Sequence, residues 1–137
     1  MPTLVDTSAF YALIDADDAA HQAVRRFVVA NADPLILPVT VLPEADHLLG
    51  TRLSVREELI AIRAILRGAF VLEQLGLDDL ARAAELVEQY ADSPLGLVDA
   101  SIVAIAERLR ITRILTLDRR HFGFVRPRHC SALDLVP

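Results

Sequence analysis

Lysine is missing from the sequence: all 14 basic residues are arginine. Schiff-base enzymes, P-loop nucleotide hydrolases and phospho-receiver domains each rely on a lysine ammonium as nucleophile or phosphate partner, so none of them can be built from this chain. Glycine is nearly as restrictive. The 5 glycines, at positions 50, 68, 76, 96 and 123, stand singly, which leaves no glycine-rich loop to cradle a phosphate or a dinucleotide. One cysteine, Cys130, makes neither an intrachain disulfide nor a cysteine-rich zinc site and is expected to pack as a small hydrophobe. Tryptophan is absent, and no apolar run approaches the about 20 residues of a membrane-spanning helix, so a soluble chain is expected. The opening MPTLVDTSAF offers neither the basic nor the apolar segment of a secretory signal. A cytoplasmic location is the corresponding expectation.

What is present suits one globular domain over residues 1–137: 53% of the chain is hydrophobic and 24% charged, enough for a core of its own. Net charge is -5, unevenly spread. From residue 100 onward, arginines 108, 110, 113, 119, 120, 126 and 128 face only Glu107, Asp118 and Asp134, a balance of +4, so the first 99 residues carry -9. The basic last third reads either as a solvated arginine-rich surface or as one that meets phosphates or an acidic partner.

Short β-branched runs alternate with helical patterns. Strands are expected at 3–5, 35–37, 70–72, 114–117 and 132–136, and helical stretches at 8–14, 18–30 and 40–49, the last ending at Gly50. Ser54 and Glu57 make a capping box that opens a further helix; another covers about 79–91; Ser93 and Pro94 mark the start of one running to Leu109. Strands separated by helices imply an α/β fold, a mainly parallel sheet covered on both faces.

Four carboxylates stand out by position. Asp6 ends the first strand and Asp118 the fourth, and the binding crevice of an open parallel sheet lies beyond the carboxyl ends of its strands. Glu44 falls in the first turns of the helix after the second strand. Asp99 lies among Leu97, Val98, Ile102, Val103 and Ile105, so it is expected at least half buried. Each acid has a structural explanation by itself: Asp6 as a helix cap, Asp118 as a turn former, Glu44 as a solvated helix residue. Gathered at one edge, they repel one another unless a cation or proton separates them. Oxygen-only ligands select a hard cation, Mg²⁺ or Mn²⁺. Histidines 21, 47, 121 and 129 are scattered, and His47, three residues after Glu44, is the one in reach of the same edge, though a surface role suits it better. Asp92, seven residues before Asp99, reads as a helix cap rather than a ligand.

The segments Val5-Asp6-Thr7-Ser8-Ala9, Val41-Leu42-Pro43-Glu44, Gly96-Leu97-Val98-Asp99-Ala100-Ser101 and Ile114-Leu115-Thr116-Leu117-Asp118, with Phe122 following, resemble a PIN domain of the VapC toxin type over nearly the whole chain. The resemblance implies a three-layer α/β/α sandwich around a five-stranded sheet. It also implies a Mg²⁺- or Mn²⁺-dependent endoribonuclease, the toxin of a bacterial toxin-antitoxin pair. Such a toxin is restrained by a small VapB-type antitoxin and is homodimeric within the complex. Carried over by position, Asp6, Glu44, Asp99 and Asp118 are the metal-binding catalytic acids, with Thr7, Ser8 and Thr116 as supporting hydroxyls. Many members carry an Asn shortly after the third acid; Ser101 and Ile102 stand there in this chain. Arg119 and Arg120, directly after Asp118, are candidates to contact RNA or the antitoxin.

Other readings make different demands. A metal-independent ribonuclease needs a histidine pair and leaves cyclic or 3'-phosphate ends. An inert partner-binding module would have lost acids from the set, and none is lost. An aspartyl phosphatase built on Asp6 needs a second acid two residues on, where Ser8 stands; a serine hydrolase needs a Gly-x-Ser-x-Gly elbow, which does not occur.

Overall fold

Three residues, Thr3–Val5, form the first strand, β1, and every one of them is buried. So short a strand reads as a continuous apolar run because both of its faces are covered. The computed structural model describes residues 1–93 and 95–137. In chain order its elements are β1, α1 (Thr7–Ile14), α2 (His21–Ala30), β2 (Leu35–Pro38), α3 (Val41–Arg52), α4 (Val55–Leu66), β3 (Val71–Glu73), α5 (Leu77–Gln89), α6 (Leu97–Leu109), β4 (Arg113–Leu115), α7 (Arg119–Phe124) and β5 (Asp134–Val136). The five strands lie in the order β3-β2-β1-β4-β5, and every neighbouring pair is parallel.

Helices α2, α3 and α4 pack on α1, whereas α5 and α6 pack on each other. Right-handed crossovers place these two groups on opposite faces of the sheet, because the chain moves outward from β1 to β3 and then returns to the far side of β1 at β4. The result is an α/β/α sandwich whose strand order reverses between β1 and β4, where an open parallel sheet forms its crevice. Register fixes what meets there: Val5 pairs with Leu115, so Asp6 and Thr116 leave the sheet side by side.

Helix α6 is buried continuously from Ala100 to Ala106, as its all-round apolar sequence requires. Its outer neighbour α5 is tied to it by Arg82 to Glu107 at 2.8 Å and Arg108 to Asp79 at 2.9 Å. Asp79 also accepts from the Gly76 backbone N–H at 2.9 Å, which starts α5 two residues earlier than expected.

Several boundaries differ from the sequence reading. Helix α3 runs through Gly50 to Arg52; that glycine lies close to the Glu58 carboxylate, and a Cβ there would stand 3.3 Å from Glu58 Oε1. Helix α6 begins at Leu97 with Gly96 as its N-cap, so Asp92 does not cap it; the start expected at Pro94 lies outside the described residues. Strand β4 stops at Leu115, because the Leu117 N–H is taken by the Ser8 hydroxyl at 3.0 Å rather than by a neighbouring strand. The turn expected at Asp118 is the start of a short helix, α7. Among the described residues no helix is long and apolar enough to cross a membrane.

Candidate active site

Asp6 caps α1 at the end of β1 and is only 3% exposed. An ionised carboxylate so deep needs donors, and three surround it: the Thr7 backbone N–H on Oδ1 at 2.7 Å, and the Ser8 and Thr116 hydroxyls on Oδ2 at 3.0 and 2.7 Å. Burial nevertheless dominates, and with the Glu44 charge it lifts the Asp6 carboxyl above the ordinary aspartate range against those donors.

Thr116 joins the two strand ends. Its hydroxyl donates to Asp6 and accepts the Asp118 backbone N–H at 2.9 Å. Replacing it with valine keeps the shape, removes both bonds and leaves the buried Asp6 Oδ2 with the Ser8 hydroxyl alone. Thr116→Val is expected to destabilise the fold by about 1–3 kcal/mol, read as a lower urea midpoint with an unchanged slope.

Asp118 is the N-cap of α7. It accepts the His121 backbone N–H on Oδ1 at 3.0 Å and lies 2.7 Å from the His121 ring Nδ1 through Oδ2. Burial pushes its carboxyl upward, but the two His121 contacts outweigh that and hold it below the usual aspartate range. Asp99, in the first turn of α6 and half buried, behaves oppositely. Burial first, then the charges of Asp6 and Asp118, push its carboxyl up to about 7; His121 pulls it down and Glu44 adds to the rise. The neighbourhood is therefore strongly negative and short of cations.

Glu44 is exposed in the first turn of α3, close enough for Asp6 and Asp99 to feel its charge. Its helix is held to α6 by Thr40 and Ser101, whose hydroxyls lie 2.7 Å apart while Ser101 donates to the Val98 carbonyl at 2.6 Å. Ser101, standing where the resemblance would put an asparagine nearby, thus ties the first turn of the Asp99 helix to the residue that precedes α3. Asp92 and His47 are exposed. Thr7 supports Asp6 through its backbone, whereas its buried hydroxyl has no partner among the described residues. Arg119 and Arg120 are exposed on the first turn of α7.

The ligand atoms of Asp99, Asp118 and His121 lie within 4.8 Å of one another. This group could hold a metal ion, and His121 is the member the sequence reading did not single out. Its signal was the three-residue spacing from Asp118, which becomes a contact only once α7 is known to be helical.

Residues 3–126 match the family model for the PIN domain. The chain is 38% identical over 134 residues to Ribonuclease VapC26 of Mycobacterium tuberculosis, covering 98% of this chain and 99% of that protein. Among solved structures, VapC20 of Mycobacterium tuberculosis, described as a sarcin-ricin loop cleaving toxin, superposes with a TM-score of 0.86 at 23% identity, over 98% of this chain and 99% of that one. A toxin-antitoxin complex from Klebsiella pneumoniae superposes with a TM-score of 0.69 at 18% identity, over 90% of this chain and 92% of its match. At these identities the two structures carry the fold.

Proposed function

This chain belongs to the PIN-domain family, and from that premise we propose that it is a Mg²⁺- or Mn²⁺-dependent endoribonuclease. It is the toxin half of a type II toxin-antitoxin pair, with Asp6, Glu44, Asp99 and Asp118 as the metal-binding acids. The observation that carries the reading is Asp99: a carboxyl pushed up to about 7 by burial and by Asp6 and Asp118 belongs to a site that lacks a positive charge of its own. The donor set fits a hard divalent cation, since carboxylate oxygens dominate it and the single imidazole nearby already faces Asp118. When bound, the cation supplies charge for the scissile phosphate and makes a water more acidic.

The chain's own residues supply the rest. Ser8 and Thr116 hold the Asp6 carboxylate, and His121 holds that of Asp118, so two of the four acids are oriented before any substrate arrives. A carboxylate left partly free by the cation, that of Asp118 or Asp99, would orient or deprotonate the attacking water. Arg119 and Arg120 lie at the rim, where they meet RNA phosphates or acidic residues of the antitoxin. The 38% identical relative is named a ribonuclease, and a structural neighbour is a toxin-antitoxin complex; both accord with an RNA substrate and a VapB-type partner. The same reading makes residues 1–137 one PIN domain, cytoplasmic, paired with a second copy in the antitoxin complex.

The test is the chemistry of the cut ends. Incubation with RNA and Mg²⁺ or Mn²⁺ is expected to give fragments bearing 5'-phosphates, and EDTA is expected to stop it. Cyclic phosphate ends formed in EDTA would assign the cleavage to histidine chemistry and overturn the metal route.

A further inference from the structure

Aromatic rings continue from the acids along α7. His121, whose Nδ1 lies 2.7 Å from Asp118 Oδ2, meets Phe124 edge-on with ring centroids 6.2 Å apart and planes at 67°. Phe124 in turn meets Tyr90, just past the end of α5, at 5.3 Å and 53°. Aromatic residues are scarce in this chain, 5% of the total. Phe10, Tyr11, Phe70 and Phe122 are buried in the core, whereas Phe27, Tyr90 and Phe124 pack against it partly exposed, and His121 is partly exposed beside the last two. Rings inclined at 53° touch along an edge and do not cover each other's faces. The Tyr90 hydroxyl accepts the Arg126 backbone N–H at 3.0 Å, which pins the outer ring in place.

The surroundings suit an anionic ligand with a flat apolar part. Leu97, two residues before Asp99, is 55% exposed, and Leu117, directly before Asp118, is 38% exposed. In the basic last third Arg108, Arg113 and Arg128 are engaged in salt bridges; among the described residues Arg110, Arg119, Arg120 and Arg126 make none, and the last three lie on α7 or at its exit, Arg119 donating to the Pro137 carbonyl and Arg126 to that of Gly123. An acid-rich site repels RNA on its own account, so attraction must come from beside it. Phosphate contacts position a strand, and base–aromatic stacking holds it irrespective of sequence.

We propose that the His121, Phe124 and Tyr90 row seats an unpaired nucleobase of single-stranded RNA next to the cleaved bond, with Arg119 and Arg120 on the adjoining phosphates. This rests on the ribonuclease reading and narrows it. A base inside an A-form duplex presents no free face, so the row selects loops, bulges and splayed ends.

The experiment uses the full chain carrying Asp99→Asn, which silences cleavage, with Mn²⁺ present and a short single-stranded RNA containing 2-aminopurine. The fluorophore is expected to be quenched on binding. Phe124→Leu and Tyr90→Leu, which keep apolar bulk and lose the ring, are expected to weaken binding about tenfold or more each and to abolish the quench, with melting temperatures held near that of the parent. Tyr90→Phe is expected to retain both, and the same sequence as a duplex is expected to compete poorly. Leucine variants that bind and quench like the parent would overturn the proposal, as would an equal loss in Tyr90→Phe. A loss confined to antitoxin affinity would assign the row to that interface and overturn it too. The two readings fail separately: a wild-type chain that cuts RNA without quenching the base keeps the ribonuclease assignment and loses the seat, and one that never cuts loses both.

Discussion

Asp99→Asn is expected to lower metal-dependent RNA cleavage by at least about 100-fold and, without metal, to melt at a higher temperature than the wild type. The two signs belong together. The wild-type carboxyl is pushed up to about 7 by burial and by Asp6 and Asp118, so above neutral pH folding forces a charge into a place that resists it. The amide keeps the volume and removes that charge. The gain is on the order of 2 kcal/mol once the half-exposed position of Asp99 is allowed for, or roughly 5 °C at pH 8 in EDTA. Added Mn²⁺ is expected to reverse the order, because a cation that binds only the folded chain stabilises the wild type by mass action. A variant less stable than wild type in EDTA, or one that cleaves RNA normally, would show Asp99 to be an ordinary structural acid.

The metal-free protein is expected to lose stability as pH rises from about 4 to about 7, the reverse of the usual acid denaturation. Asp99 has a raised folded value, about 7 against 3.8. Across that interval the folded chain keeps a proton that the unfolded chain has released, so its contribution is full below the lower value and lost on approaching the upper one. Asp6 is raised as well and acts in the same direction. Asp118, Asp79 and Glu107 are held low; their contributions are present above the unfolded values and fail only in more acidic solution. Each pH unit in the window removes up to about 1.4 kcal/mol, reduced by solvent screening at Asp99. Thermal melts in EDTA should peak at about pH 4, and both Asp99→Asn and saturating Mn²⁺ should flatten the profile. A wild-type profile flat from pH 5 to 8 would separate the acids.

Much of this arrangement is legible in the sequence because the central strand β1 is buried and apolar residues give way abruptly to an acid at two points. Val5 to Asp6 is such an abrupt change, and so is Leu117 to Asp118. What was missed depends on contacts between distant segments. Six residues of α7 are too few for an apolar period to declare itself, and without the helix His121 is an isolated histidine three positions from an acid. Gly50 resembles a helix terminator, since the close approach of Glu58 that accompanies it lies on another element. The start of α6 was sought at a serine and a proline, whereas Gly96, which has no side chain to cap with, begins it. Thr116 and Leu117 have strand composition, but after Thr116, whose N–H still reaches the Val136 carbonyl, the N–H groups of Leu117 and Asp118 go to the hydroxyls of Ser8 and Thr116, 108 residues apart.

Strand β1 sits in the middle of the sheet with β4 on one side, and the bond from Thr116 to Asp6 spans 110 residues. Translation therefore delivers Asp6 110 residues before Thr116, with Asp118 and His121 later still. Until Thr116 and Asp118 have emerged, Asp6 lacks the hydroxyl that helps orient it, and Asp99 has no Asp118 beside it. Long-range parallel pairing is also slow to form. The acids are thus gathered late in folding, once β4 and α7 have joined a strand made more than a hundred residues earlier.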